Sequence, residues 1–138
     1  MIINVAQKLA YPIERVWFYI GDFGGLQRWH PHVRSCRLET AQGETLRIVE
    51  LDGWHAIERL TAFDPVAYVL GYEMMECGRA VLTGVRGTMR LEPLTPARCL
   101  LRWESELPEG APAELAGLLQ AYYPERIGHL REALARAD

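Results

Sequence analysis

From Val33 to Leu107 apolar and polar residues alternate at a period of two almost without interruption, and that run constrains the fold more than any other feature. Turn signals break it at Gly43, Asp52-Gly53, Asp64-Pro65, Gly78 and the segment from Pro93 to Pro96, which divides it into six strands joined by short connections. Strands joined so briefly pair antiparallel, and a sheet of that kind with one apolar face must bury it against something else.

The flanking segments supply the cover. Ile2 to Leu9 reads as a further strand, with Ile3, Val5 and Leu9 on one face. Tyr11-Pro12 starts a helix with Pro12 in the first helical position, Ile13, Val16, Trp17 and Ile20 following at helical spacing and Gly21 ending it. Asp22 is placed to cap a second short helix, which Gly24, Gly25 and Pro31 limit to about two turns. Beyond Pro108, Gly110 and Pro112, helical spacing returns through Leu115, Leu118, Leu119, Tyr122, Tyr123, Ile127, Leu130 and Leu134, in one long helix that Pro124 should kink. The expected architecture is α+β: a seven-stranded antiparallel sheet wrapped around a long C-terminal helix, with two short helices between strands 1 and 2, as a single domain over residues 1–138.

Composition narrows the function classes. The net charge is −3, with 15 basic and 18 acidic residues and no basic block, which argues against nucleic acid as a partner. No uncharged stretch approaches the roughly 18 apolar residues of a membrane span, and the N-terminus has no charged region followed by an apolar one, so an unexported protein is expected. Cys36, Cys77 and Cys99 are odd in number and widely spaced, which suggests neither disulfides nor a zinc site and points to a reducing, cytoplasmic compartment.

Val16-Trp17, the run Gly21-Asp22-Phe23-Gly24-Gly25, and Trp29-His30-Pro31 together resemble the START-like, helix-grip superfamily, specifically its polyketide cyclase/dehydrase-like (SRPBCC) group. The likeness continues through Val33-Arg34-Ser35-Cys36, Glu58-Arg59-Leu60, Thr88, Trp103-Glu104-Ser105 and Pro108-Glu109-Gly110, and is shared more distantly by the plant abscisic-acid receptors. The resemblance implies a cavity between sheet and terminal helix for an apolar or amphipathic small molecule, lipids included, gated by the loop Leu51-Asp52-Gly53-Trp54. The receptors carry a His-Arg latch in a following loop, and Ala80-Val81 stand at the nearest positions here.

Several residues become candidates for such a cavity. Arg34 shares its strand face with Cys36 and Leu38 and falls on the receptors' inward lysine, so it is expected to point inward and could hold a carboxylate or phenolate with its planar fork. Glu58 alternates with Trp54, Ala56 and Leu60 and matches an inward glutamate of the family; buried, it needs a partner, and Arg34 is the candidate. A purely structural Arg34–Glu58 ion pair is the plainer reading. Tyr72, on a face with Tyr68, Leu70 and Met74, matches a pocket aromatic or fills the core. Trp29 and Trp54 flank the expected opening, and Tyr122 with Leu119 is the pair on the long helix expected to face the sheet. At Glu104 the resemblance and the alternation disagree. Alternation puts Cys99, Leu101, Trp103, Ser105 and Leu107 inward and Glu104 out, and it decides, because a one-residue slip inverts every face.

His30 is expected to shape the pocket rim and His55 and His129 to lie on the surface. His30 and His32 flank Pro31 with no third ligand in reach along the sequence, so no metal and no cofactor is expected. Three functions stay open. The first is a binding module for the small molecule, anchored by Arg34 and Glu58. The second is a cofactor-independent cyclase or dehydratase in which Glu58 is the general acid/base, Arg34 stabilises an enolate oxygen and Tyr72 is the candidate second proton-transfer group. The third is a protein-interaction role. Whether the chain forms a homodimer is not fixed by its sequence.

Overall fold

The computed structural model describes residues 1–137. Strand β1 (Ile2–Leu9) leads into helix α1 (Ile13–Ile20) and a 3-10 turn at Leu26–Arg28. Strands β2 (Val33–Ala41), β3 (Glu44–Leu51), β4 (His55–Asp64), β5 (Val69–Cys77), β6 (Arg86–Thr95) and β7 (Arg98–Glu106) follow, with a second 3-10 turn at Ala80–Leu82 between β5 and β6. Helix α2 (Ala113–Arg136) ends the chain. All seven strands form one antiparallel sheet in the order β1-β7-β6-β5-β4-β3-β2. This is the expected helix-grip layout.

The second short helix is reduced to the single turn at Leu26–Arg28: Asp22 makes no side-chain cap, and its carboxylate lies 3.6 Å from Arg28 instead. Gly24 and Gly25 explain the loss, since each glycine gives up more backbone freedom on entering a helix than any other residue. Pro12 stands one position earlier than expected, as the residue capping α1. Gly21, which ends α1, sits under the Trp17 ring, where an added Cβ would come within 2.4 Å of it.

One face of the sheet buries against α2 through Leu115, Leu119, Tyr123, Ile127, Leu130 and Leu134, residues that recur every three or four positions and form one stripe. α2 continues through Pro124 to Arg136. Its far end is tied down by Arg131, which donates to Gln7 Oε1 at 2.8 Å and to the Lys8 carbonyl at 2.9 Å, and by Arg15 of α1, which donates to the Leu134 carbonyl at 3.0 Å. Toward the other end of α2, Leu119, Tyr122, Tyr123 and Arg126 border a cavity between helix and sheet.

Candidate functional site

A cavity of about 140 Å³ lies between the sheet and the first half of α2. Alternation aims its walls inward: Val49 from β3, Ala56 from β4, Leu70 and Met74 from β5, Met89 from β6 and Leu119 from α2 are all apolar. Of the residues expected there, Trp29, Trp54, Glu58, Tyr72, Met74, Trp103, Leu119 and Tyr122 line it. Glu104 does not. It lies in a polar groove on the outer face of the sheet with Arg59, Arg86 and Glu106, as alternation requires.

Arg34 is not in the cavity, which corrects the expectation that it faces Glu58. The register slips between Val33 and Ser35, so Arg34 is the extra residue of a β-bulge and is turned outward. Its side chain is 72% exposed, and Nε donates to Asp52 Oδ1 at 2.6 Å. Arg47 takes the inward place. Its Nε donates to Glu58 Oε1 at 2.6 Å with both side chains only 8% exposed, Nη1 donates to the Phe23 carbonyl at 3.3 Å, and the guanidinium lies 4.3 Å from the Phe23 ring centre. The sequence carried a signal for Arg47. Asp52-Gly53 forms a two-residue turn, with Gly53 at a φ of +79°. Counting outward equally from that turn sets Val49 opposite Ala56 and Arg47 opposite Glu58, the register observed.

The floor of the cavity is aromatic. Trp103 stacks on Tyr123 at 4.3 Å between ring centres, and its indole N–H donates to the Tyr72 hydroxyl at 3.0 Å. Tyr123 and Ser105 are hydrogen-bonded through their hydroxyls. Gly87 faces Tyr72 across the sheet, and an added Cβ there would meet the phenol ring at 2.3 Å, so the glycine makes room for it. Burial pushes the Tyr72 phenol well above its ordinary value and raises Tyr123 as well, which keeps both protonated. The Tyr72 hydroxyl accepts from the Trp103 indole and is turned toward the Tyr123 hydroxyl. Tyr123 is the helix tyrosine that meets the sheet, whereas Tyr122 is half-buried at the rim; the difference follows from the stripe, because Tyr123 lies four residues from both Leu119 and Ile127.

The rim is built by three segments. Arg79, next to the Ala80-Val81 positions, bonds the Tyr122 hydroxyl and lies 5.2 Å from the Trp54 ring centre, so it bridges α2 to the β3–β4 loop. Arg126 also lines the cavity, with its guanidinium 5.1 Å from the Tyr122 ring centre. His30 completes the rim. Burial, reinforced by the charge of Arg126 and by His32, His129 and Arg47, pushes its imidazole down to about 3, so the ring is neutral. The His32 backbone N–H donates to His30 Nδ1 at 3.3 Å, which assigns the ring proton to Nε2.

His55 stays at the surface beside Glu76, but His129 does not conform to expectation: its side chain is 19% exposed and its ring packs against His30 and His32. His32, Glu125 and His129 come together as a set with metal-ligand chemistry. Spacing could not show this, since His32 precedes β2 and the other two lie on α2.

The sequence matches the family described as polyketide cyclase / dehydrase and lipid transport over residues 2–135. Among solved structures, an uncharacterised Bacillus thuringiensis protein is 24% identical, with a TM-score of 0.83 and coverage of 98% of this chain and 99% of that one. The protein XoxI from Bacillus cereus is 25% identical, with a TM-score of 0.82 over 97% and 95% of the two chains. The Zhui aromatase/cyclase from Streptomyces is 19% identical, with a TM-score of 0.71 over 97% and 90%. No curated protein matches the sequence.

Proposed function

This chain belongs to the polyketide cyclase / dehydrase and lipid transport family, and from that premise we propose that it is a carrier or sensor that binds an apolar or amphipathic small molecule between sheet and α2. The observation that carries the reading is the character of the cavity wall: it is apolar and aromatic, and its two buried charges, Arg47 and Glu58, neutralise each other. Such a site rewards burial of hydrocarbon and offers a few fixed polar contacts for orientation. Its volume sets a size. About 140 Å³ is close to the ~150 Å³ that takes one benzene-sized molecule. One ring or a short acyl segment therefore fits with the walls as they stand, and a longer amphipathic molecule would keep its polar end at the rim beside Arg126 and Arg79.

A carrier fits the site better than proton transfer by Glu58. A carboxylate that already accepts a hydrogen bond from a guanidinium at 2.6 Å has that oxygen turned to Arg47 and away from a substrate proton. One observation favours a cyclase or dehydratase as the second reading: the Tyr72 hydroxyl, kept protonated by burial, could turn its proton from Tyr123 to a substrate carbonyl and stabilise an enolate oxygen. The three free thiols suit a reducing, cytoplasmic compartment. Native mass spectrometry of the chain isolated from its own host tests the proposal, together with uptake of a fluorescent apolar probe. A co-purified apolar adduct, displaced by the probe in proportion, is the expected result. A ligand-free protein that takes up no probe would overturn it, and turnover of a polyketide-like ring that is lost in Tyr72→Phe would move the assignment to the enzyme.

A further inference from the structure

On α2, Glu125 and His129 lie one helical turn apart on the same face, and the segment leading into β2 sets His32 against them. One donor atom from each of the three lies within 4.8 Å of the other two. An independent observation points to something bound there. Both ring nitrogens of His129 are buried and have no hydrogen-bond partner among the described residues, the Glu125 carboxylate standing 3.6 Å from Nε2, too far for a hydrogen bond. A buried polar ring without partners is costly, and an ion is one of the few things that relieves it.

We propose that His32, Glu125 and His129 form a binding site for a divalent first-row transition metal, zinc by the chemistry of the donors. Two imidazoles and one carboxylate are the donor set of three-ligand zinc sites, which keep a fourth position for water or another group. Calcium and magnesium prefer oxygen ligands throughout. Arg126 sharpens the choice: its Nη1 lies 3.2 Å from Glu125 Oε1, so the site has little net negative charge and its affinity must come from imidazole coordination. Tetrahedral bonds of ~2.1 Å place donor atoms about 3.4 Å apart. Glu125 Oε1, 3.6 Å from His129 Nε2, already stands near that spacing, and the exposed His32 side chain can rotate to complete the set.

A metal so held would fasten α2 to the segment before β2. His30, in ring contact with both His32 and His129, lines the ligand cavity, so the fastening point stands one side chain from the rim.

The test uses the full chain, stripped with a chelator and titrated with zinc in a calorimeter and with cobalt(II) in a spectrophotometer. One zinc per chain is expected, with visible cobalt bands as intense as those of four-coordinate sites. His32→Ala and His129→Ala should each weaken zinc binding by roughly tenfold or more, while His55→Ala leaves it unchanged. Zinc should also raise the thermal midpoint of the parent protein and not that of His32→Ala. Because the His32 side chain is exposed, that variant folds even if His129→Ala does not. Absence of one-to-one zinc binding, or binding that His32→Ala leaves intact, overturns the proposal.

Discussion

Removing Arg47 should be far more damaging than removing the whole Arg47–Glu58 pair. At 2.6 Å and an effective dielectric of ~20, the two charges attract by about 6 kcal/mol. Taking each ion out of water costs several kcal/mol, so attraction and desolvation nearly cancel. Arg47→Met abolishes the attraction but leaves Glu58 buried and charged, at a cost of about 3–5 kcal/mol. It also leaves the Phe23 carbonyl with only the weak Cys36 thiol at 3.8 Å as a donor, up to about 1 kcal/mol more. The double replacement Arg47→Met with Glu58→Leu removes both charges and fills the wall with hydrocarbon, so it should fall within ~2 kcal/mol of the parent. Equilibrium urea unfolding of the parent, both single variants and the double variant supplies the cycle, with a constant denaturant slope as the check that the states being compared are the same. The reasoning fails if Arg47→Met costs less than ~1 kcal/mol, or if the double variant loses as much as the two single variants together.

Tyr123→Ala should cost about 3–5 kcal/mol by emptying the stack on Trp103, with Tyr122→Ala well below it, as read by thermal or urea unfolding; equal losses would contradict the placement of the two rings. Arg79→Ala unties α2 from the β3–β4 loop, so amide exchange at residues 51–54 and the rate of probe uptake should both rise, and unchanged rates would show that the bridge does not restrain the rim. In an alkaline titration followed by tyrosinate absorbance, Tyr72 and Tyr123 should ionise above the ordinary phenol range. Their phenols are raised in the folded state, so the stability linked to them is fully present below pH ~10 and is lost as pH climbs above it. A single transition for all the tyrosines with the fold intact would count against burial as the cause.

Legibility in the sequence followed the range of the physics involved. Alternation is a local property, so it placed Trp103 and Ser105 inside and Glu104 outside even where the family resemblance suggested otherwise. A bulge is local too, but it depends on pairing with the next strand, and a single strand read alone could not show that Arg34 is the residue squeezed out. The Arg47–Glu58 pair is legible in the two-residue turn, because the hairpin register, and not the alternation of either strand alone, sets the two opposite each other. Tyr123 could have been chosen over Tyr122 from its spacing to Leu119 and Ile127. The histidine cluster was beyond reach, because it forms only where the segment before β2 meets α2, more than 90 residues away in sequence.

The strand order has a consequence for how the chain comes together. From β2 to β7 every neighbour in the sheet is also the next strand in sequence, so each hairpin can close as soon as it exists. β1 is different: Ile2 pairs with Glu106 and Leu9 with Cys99, across the length of the meander. During synthesis, β1 is made before the other six strands yet is the last of the seven to find its neighbour, and it must wait with the apolar side of α1 until β7 has left the ribosome. Only then can α2, which anchors to Gln7 and Lys8 of that same strand, settle over the cavity, so the cavity is roofed by a contact between the elements farthest apart in the sequence of the fold.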